Sequence, residues 1–238
     1  VTRTVADSLA WAGDGAAHLR GLMARMADDA FTAPSLLPGW SRAHVLTHIA
    51  RNADAMGNLL TWARTGVETP AYAGDDARDA DIAAGAARPA AEIRADVLAS
   101  SDRLAAAARA MPERAWSATV RTRQGWEIPA SEVLWWRARE MWIHAVDLDV
   151  GASIADLPAP MLRELVGDVV RAVGAKEDCP PLVLRATDGP GEWVLGDGSA
   201  GEVRGTLAGL ATWALGRSRG KDLRTADGRR PPALPAWL

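Results

Sequence analysis

Apolar residues recur at three- and four-residue intervals over most of the chain, with polar residues between them, so the pattern predicts helices first. From Thr2 to Ala30 the apolar stripe is Val5, Leu9, Ala16, Leu19, Met23 and Met26, and the glycines at 13, 15 and 21 do not disturb its period. Pro34, Pro38 and Gly39 break the chain between Phe31 and Trp40. Ser41 is then placed to cap a second helix, Arg42 to about Thr65, with Val45, Leu46, Ile49, Met56, Leu59, Leu60 and Trp62 on its apolar side. Gly66 to Ala87 reads as a loop, with Pro70, Gly74 and a group of aspartates at 75, 76, 79 and 81 that lacks the spacing of a calcium loop. Helical period returns from Pro89 to Met111 through Ile93, Val97, Leu98 and Leu104. Weak alternation from Trp116 to Ile128, around Gln124-Gly125, predicts a small hairpin lid. Pro129 and Ser131 open a further helix, and no Gly or Pro interrupts it from Ala130 to Val150.

Four long helices, with a hairpin before the last, predict a four-helix bundle over residues 1–154. A Pro/Gly-bearing hinge at 151–160 leads into a different pattern. Helical period over Met161–Val173 is followed by short strands at Leu182–Ala186, Glu192–Leu195 and Glu202–Thr206, then by an amphipathic helix at Leu207–Leu215 that ends at Gly216. The fold class expected is therefore mainly α, a bundle joined to a smaller α+β domain over 155–238.

Composition narrows the function without choosing it. The 238 residues are 48% hydrophobic and 24% charged with a net charge of −3, so no basic surplus points to nucleic acid or to an anionic membrane. No apolar run approaches the roughly 18 residues of a membrane span, and the start of the chain lacks a signal pattern, which makes the cytoplasm the expected location. A single cysteine, Cys179, excludes an internal disulfide and a thiolate-based zinc finger, and nothing beside it in sequence looks like a base. The basic residues are nearly all Arg and alanine is abundant, which suggests a host genome rich in G and C.

Chemistry concentrates in the stretch from Trp135 to Asp147. Glu140 and His144 stand four residues apart, one turn above each other on one helix face, among Trp135, Trp136, Met141, Trp142, Ile143 and Val146. Such a pair is either an intrahelical hydrogen bond at the surface or part of a metal site. His48 on the second helix supplies a third candidate ligand near the buried face, and three protein ligands with one open position is the arrangement of a catalytic zinc. Asp147, one turn beyond His144, is placed to orient an imidazole. His44 lies about 6 Å along the axis from His48 and is read as a structural hydrogen-bonding residue; His18 is read as a core-edge histidine. Two neutral imidazoles and a carboxylate leave a zinc centre with a net charge near +1, able to deprotonate water or a thiol in the fourth position.

The segments LLPGWSRAHVLTHIARNADAMGNLLTWARTGVETPAY (36–72), IPASEVLWWRAREMWIHAVDL (128–148) and GTLAGLATWALGR (205–217) resemble the mycothiol-dependent maleylpyruvate isomerases of actinobacteria, as does the Pro-rich Trp-Leu end. That resemblance covers nearly the whole chain and implies a DinB-like four-helix bundle with a small C-terminal domain that contributes to the active-site cleft. It implies zinc on His48, Glu140 and His144, mycothiol as cofactor, and an active-site role for Arg217. Without it, Arg217 reads as a cation complementing the dipole of its own helix. The activity implied is conversion of maleylpyruvate to fumarylpyruvate in gentisate catabolism, by addition of a thiolate to the cis double bond, rotation and elimination. The implied partners are mycothiol and a small dicarboxylate, with no nucleic acid or membrane, and a monomer is favoured. Two rivals share the metal site: a mycothiol S-transferase of detoxification or natural-product assembly, and a non-catalytic zinc-binding protein.

Overall fold

The structure, a computed structural model, describes residues 3–237. Its backbone divides into two compact units that meet between Ala152 and Ser153. Seven α-helices are present among the described residues, and none is long and apolar enough to cross a membrane.

The first unit is built on α1 (Val5–Arg25), α2 (Arg42–Thr65), α4 (Ala90–Arg109) and α5 (Ser131–Asp147), with a shorter α3 (Asp75–Ala86) between α2 and α4. The expected helix start at Thr2 lies outside the described residues; α1 begins at Val5, after a capping box in which Thr4 and Asp7 satisfy each other's backbone N–H groups. Helices α1 and α2 sit diagonally, and each packs against α4 and α5. Gly15 lets α1 approach α5 closely, since a Cβ there would stand 2.9 Å from Cβ of Met141 and 2.9 Å from the Trp142 indole nitrogen. That indole donates to the carbonyl of Trp11.

The loop expected at 66–87 contains α3, and this corrects the sequence reading. Its alanine and aspartate content masks a short amphipathic helix whose buried positions are Ile82 and Gly85. Gly85 meets the side chain of Thr47 on α2, where any Cβ would clash, so α3 lies directly against the turn that carries His48. The expected hairpin is present, with β1 (Thr119–Arg121) antiparallel to β2 (Glu127–Pro129).

Two arginines tie α2 to α5. At one end, Arg42 donates through Nε to the carbonyl of Leu148 (2.8 Å) and through Nη2 to that of Asp149 (2.9 Å), capping the free carbonyls where α5 stops. Further along, Arg137 of α5 donates to the carbonyl of Ile49 (2.8 Å), to the Asn52 side chain (2.9 Å) and to the hydroxyl of Ser101 on α4 (3.2 Å). Arg137 and Asn52 are both buried, and they separate one apolar cluster, which ends at Ala50 and Met141, from another, which begins at Ala53 and Leu134.

The second unit contains α6 (Ala159–Gly174), a four-stranded sheet and α7 (Leu207–Ala214). The strands β3 (Val183–Ala186), β4 (Glu192–Val194), β5 (Glu202–Gly205) and β6 (Arg224–Thr225) lie in the order β4-β3-β5-β6. β3 is antiparallel to β4 and parallel to β5, while β5 is antiparallel to β6. The apolar face of α6, from Met161 and Leu165 to Val169 and Val173, is buried, and α6 packs on α7. The structure is thus mainly helical with an α+β second part, and β6 is a strand that no sequence pattern announces.

Candidate metal centre

Helices α2 and α5 run antiparallel between their two arginine ties, and the residues they oppose there are His48 and the pair Glu140 and His144. Nε2 of His48 lies 2.8 Å from Oε2 of Glu140, and Nε2 of His144 lies 3.1 Å from the same oxygen. One donor atom from each residue falls within 4.8 Å of the others. The two imidazoles meet edge to face, 4.8 Å between centroids, and the Trp40 ring closes on His48 at 5.6 Å. Both alternatives left open by the Glu140–His144 spacing are therefore narrowed: the pair is not a surface hydrogen bond, because a histidine from another helix shares its carboxylate.

Asp147 is fully buried, and its Oδ2 lies 2.9 Å from Nδ1 of His144. A carboxylate there accepts a hydrogen bond from Nδ1–H and turns Nε2 toward Glu140. Burial works against the charged form of His144, but the bonds to Asp147 and Glu140 outweigh it and push the group up to about 9. Burial opposes the charge of Glu140 as well, yet the hydrogen bonds from His144 and His48 hold its carboxyl well below the usual range. His48 goes the other way: burial pulls it down, and Glu140 only partly compensates. The result is an anionic oxygen held between two nitrogens, with one imidazole oriented from behind.

This donor set suits a divalent cation. Tetrahedral zinc bonds of about 2.0–2.2 Å place neighbouring ligand atoms about 3.3 Å apart, close to the two separations from Glu140, with all three donor atoms within 4.8 Å of one another. Two imidazoles and one carboxylate match the borderline character of zinc, and three protein donors leave a position for an exogenous ligand.

Residues 12–149 match the family described as the mycothiol maleylpyruvate isomerase N-terminal domain. Over the whole chain, the structure is similar to the crystal structure of a mycothiol-dependent maleylpyruvate isomerase, with a TM-score of 0.90 and 36% identity over 99% of this chain and 98% of that one. The chain belongs to the mycothiol-dependent maleylpyruvate isomerase family. A histidine-to-alanine variant of a mycothiol-dependent maleylpyruvate isomerase matches equally, with a TM-score of 0.89 and 36% identity over the same shares of the two chains. No curated protein sequence gives a significant match.

In this member of the maleylpyruvate isomerase family the other histidines have local tasks. His44 completes the cap of α2: its Nδ1 lies 2.7 Å from the Ser41 hydroxyl and 3.3 Å from the Ser41 backbone nitrogen. His18 stacks on Trp142, 5.0 Å between centroids. Arg217 follows Gly216, whose φ of +72° ends α7, and its Nη1 donates to the carbonyl of Leu215 at 3.0 Å. That contact is the helix-end role the sequence offered as the alternative for this residue. The Cys179 thiol is pushed up by burial and by Asp178, so it is a poorer nucleophile than an ordinary cysteine.

Sequence reasoning missed three residues beside the triad. Arg137 stands three residues before Glu140, on the same helical stripe, and that spacing was the available signal. Its burial lowers the guanidinium to about 10, with the charge of Glu140 working in the opposite direction. Tyr72 and Arg78 come from the segment read as a loop; Arg78 reaches Nδ1 of His48 at 3.3 Å. The single tyrosine of the chain was the signal there.

Proposed function

We propose that the protein is a zinc- and mycothiol-dependent isomerase that converts maleylpyruvate to fumarylpyruvate. The observation that carries the proposal is the His48, Glu140 and His144 cluster in a chain that matches a mycothiol-dependent maleylpyruvate isomerase along 99% of its length. When bound, zinc would hold the cofactor thiol as a thiolate, which adds to the cis alkene, permits rotation and leaves again.

The residues of the chain supply the setting for that chemistry. His48, Glu140 and His144 hold the ion, Asp147 fixes the ring of His144, and Arg42 and Arg137 keep α2 and α5 in register around it. The one thiol of the chain is Cys179, whose burial and neighbour Asp178 keep it protonated, so the nucleophile is taken to arrive as a cofactor. The substrate carries two carboxylates and a keto oxygen that gains negative charge when sulfur adds, and Arg217 is assigned to this charge. A guanidinium holds a carboxylate through two parallel bonds that lysine cannot reproduce, and its fixed charge also stabilises an enolate oxygen. Arg217→Lys should therefore keep its zinc and lose about a hundredfold in kcat/KM, the scale of a lost charge-stabilising donor. Wild-type kinetics in that variant would remove Arg217 from the reaction.

The function is tested by following both substrate and thiol. Maleylpyruvate should disappear into fumarylpyruvate over many turnovers, with mycothiol recovered unchanged at the end. Stoichiometric consumption of mycothiol into a thioether would instead identify an S-transferase.

A further inference from the structure

Arg78 of α3 directs Nη2 at Nδ1 of His48, 3.3 Å away, and Nη1 at the carboxylate of Asp79, 2.6 Å away. Its guanidinium carbon is 5.8 Å from the centroid of the Tyr72 ring. Tyr72 is half-buried: burial raises its hydroxyl, Glu140 raises it further and Arg78 opposes both, so the phenol lies in the field of the triad and of the arginine together. Arg78 and Tyr72 also line a cleft of about 200 Å³ with Arg51, Asn58, Asp54 and Asp81. Of its acids, Asp54 is already paired with Arg51 (3.1 Å) and Arg103 (2.7 Å), and Asp81 is exposed.

Hydrogen-bond accounting at His48 shows what Arg78 is for. A guanidinium can only donate, so Nδ1 of His48 accepts here, and Nε2 carries the proton that faces Glu140. A metal on Nε2 needs the lone pair at that nitrogen, which moves the proton to Nδ1. The Nδ1 proton would then point at the N–H of Arg78, donor against donor, and Arg78 must release the ring. It then keeps Tyr72 and Asp79 beside it, and the side chain of Asp79 is 71% exposed, so that ion pair is weak. A half-buried planar cation beside a phenol, freed within reach of the metal ligands, is suited to a carboxylate.

We propose that Arg78 and the Tyr72 hydroxyl form a carboxylate-binding subsite beside the triad, engaged once His48 takes a metal. Resting on the isomerase reading, it holds one of the two carboxylates of a cis-enedioic acid. Arg78 does not touch the reacting double bond; it selects for charge and positions the acid.

The test compares zinc-loaded wild type with Arg78→Gln and Arg78→Lys. Calorimetry with maleate, a four-carbon cis-dicarboxylate, should show binding weakened by about 30-fold or more in Arg78→Gln, the scale of a lost hydrogen bond to a charged group. Arg78→Lys should recover only part of it, since the charge returns without the fork. Both variants should retain one zinc per chain. Mycothiol-dependent isomerisation of neutral dimethyl maleate should run at the same rate in Arg78→Gln and wild type, because no carboxylate is present to hold. Unchanged maleate affinity in Arg78→Gln overturns the subsite, as does an equal loss for the charged and neutral compounds or loss of zinc. A wild-type protein that binds maleate through Arg78 yet never turns over maleylpyruvate overturns the isomerase reading and leaves the subsite standing.

Discussion

His48, Glu140 and His144 do different work from the histidine closest to them in sequence, and single substitutions separate the two. His144→Ala removes a nitrogen that lies 3.1 Å from Glu140 and takes the imidazole away from the Asp147 carboxylate. Bound zinc and activity should both disappear, while far-ultraviolet circular dichroism stays helical and stability falls by about 1–3 kcal/mol. Zinc retained at one per chain with full activity would remove His144 from the site. His44→Ala should keep the metal and the activity and lose about 0.5–1 kcal/mol in denaturant unfolding, because its ring supports the Ser41 cap and lies beside Trp40. At this scale the sequence was legible where a local spacing carried the information. Glu140 and His144 sit one turn apart, Asp147 lies three residues further on, and His48 stands beside Ile49 on the apolar side of its own helix. Arg137 was less legible: it shares the stripe of Glu140, but its helix carries two arginines, and it is the tertiary contact with Ile49 and Asn52 that gives the inward one its partners.

Helices α2 and α5 act as a pair of jaws whose spacing sets the distance from His48 to Glu140. Arg42 and Arg137 fix that spacing on either side of the triad by hydrogen bonds to backbone carbonyls of the opposite helix. Arg137→Met fills most of the volume but leaves the Ile49 carbonyl and the Asn52 amide without their buried donor. Thermal or denaturant unfolding should show a loss of about 2–4 kcal/mol, and a change under about 0.5 kcal/mol would deny Arg137 its clamping role. The four long helices were readable because each repeats its apolar positions over roughly five to seven turns. Helix α3 was not, because Ile82 and Gly85 are its only fully buried residues and most of the others are alanine and aspartate, which give no apolar stripe. Its place is set by the fit of Gly85 onto Thr47, a contact between distant parts of the chain. Missing α3 meant missing Tyr72 and Arg78, the residues that surround His48 from that side.

The whole chain, bundle and α+β unit together, matches one isomerase structure nearly end to end, and it contains a single cysteine. If catalysis borrows its sulfur, that cysteine is dispensable. Cys179→Ser should leave turnover with mycothiol unchanged in an initial-rate assay, and a loss of tenfold or more would place the nucleophile on the protein. The change from helical period to short strands near residue 155 was readable from composition and turn residues, and the backbone divides two residues earlier, after Ala152. The two-residue strand β6 is too short to produce a pattern and exists through pairing with β5. The central claim, that the triad holds the ion on which thiol-dependent isomerisation depends, is tested most directly by removing and restoring the metal. Chelator-stripped protein should be folded and inactive toward maleylpyruvate with mycothiol present, and activity should rise linearly with added zinc to a break at one ion per chain. Full activity in the stripped protein, or a break that persists when His48, Glu140 and His144 are replaced together, would contradict it.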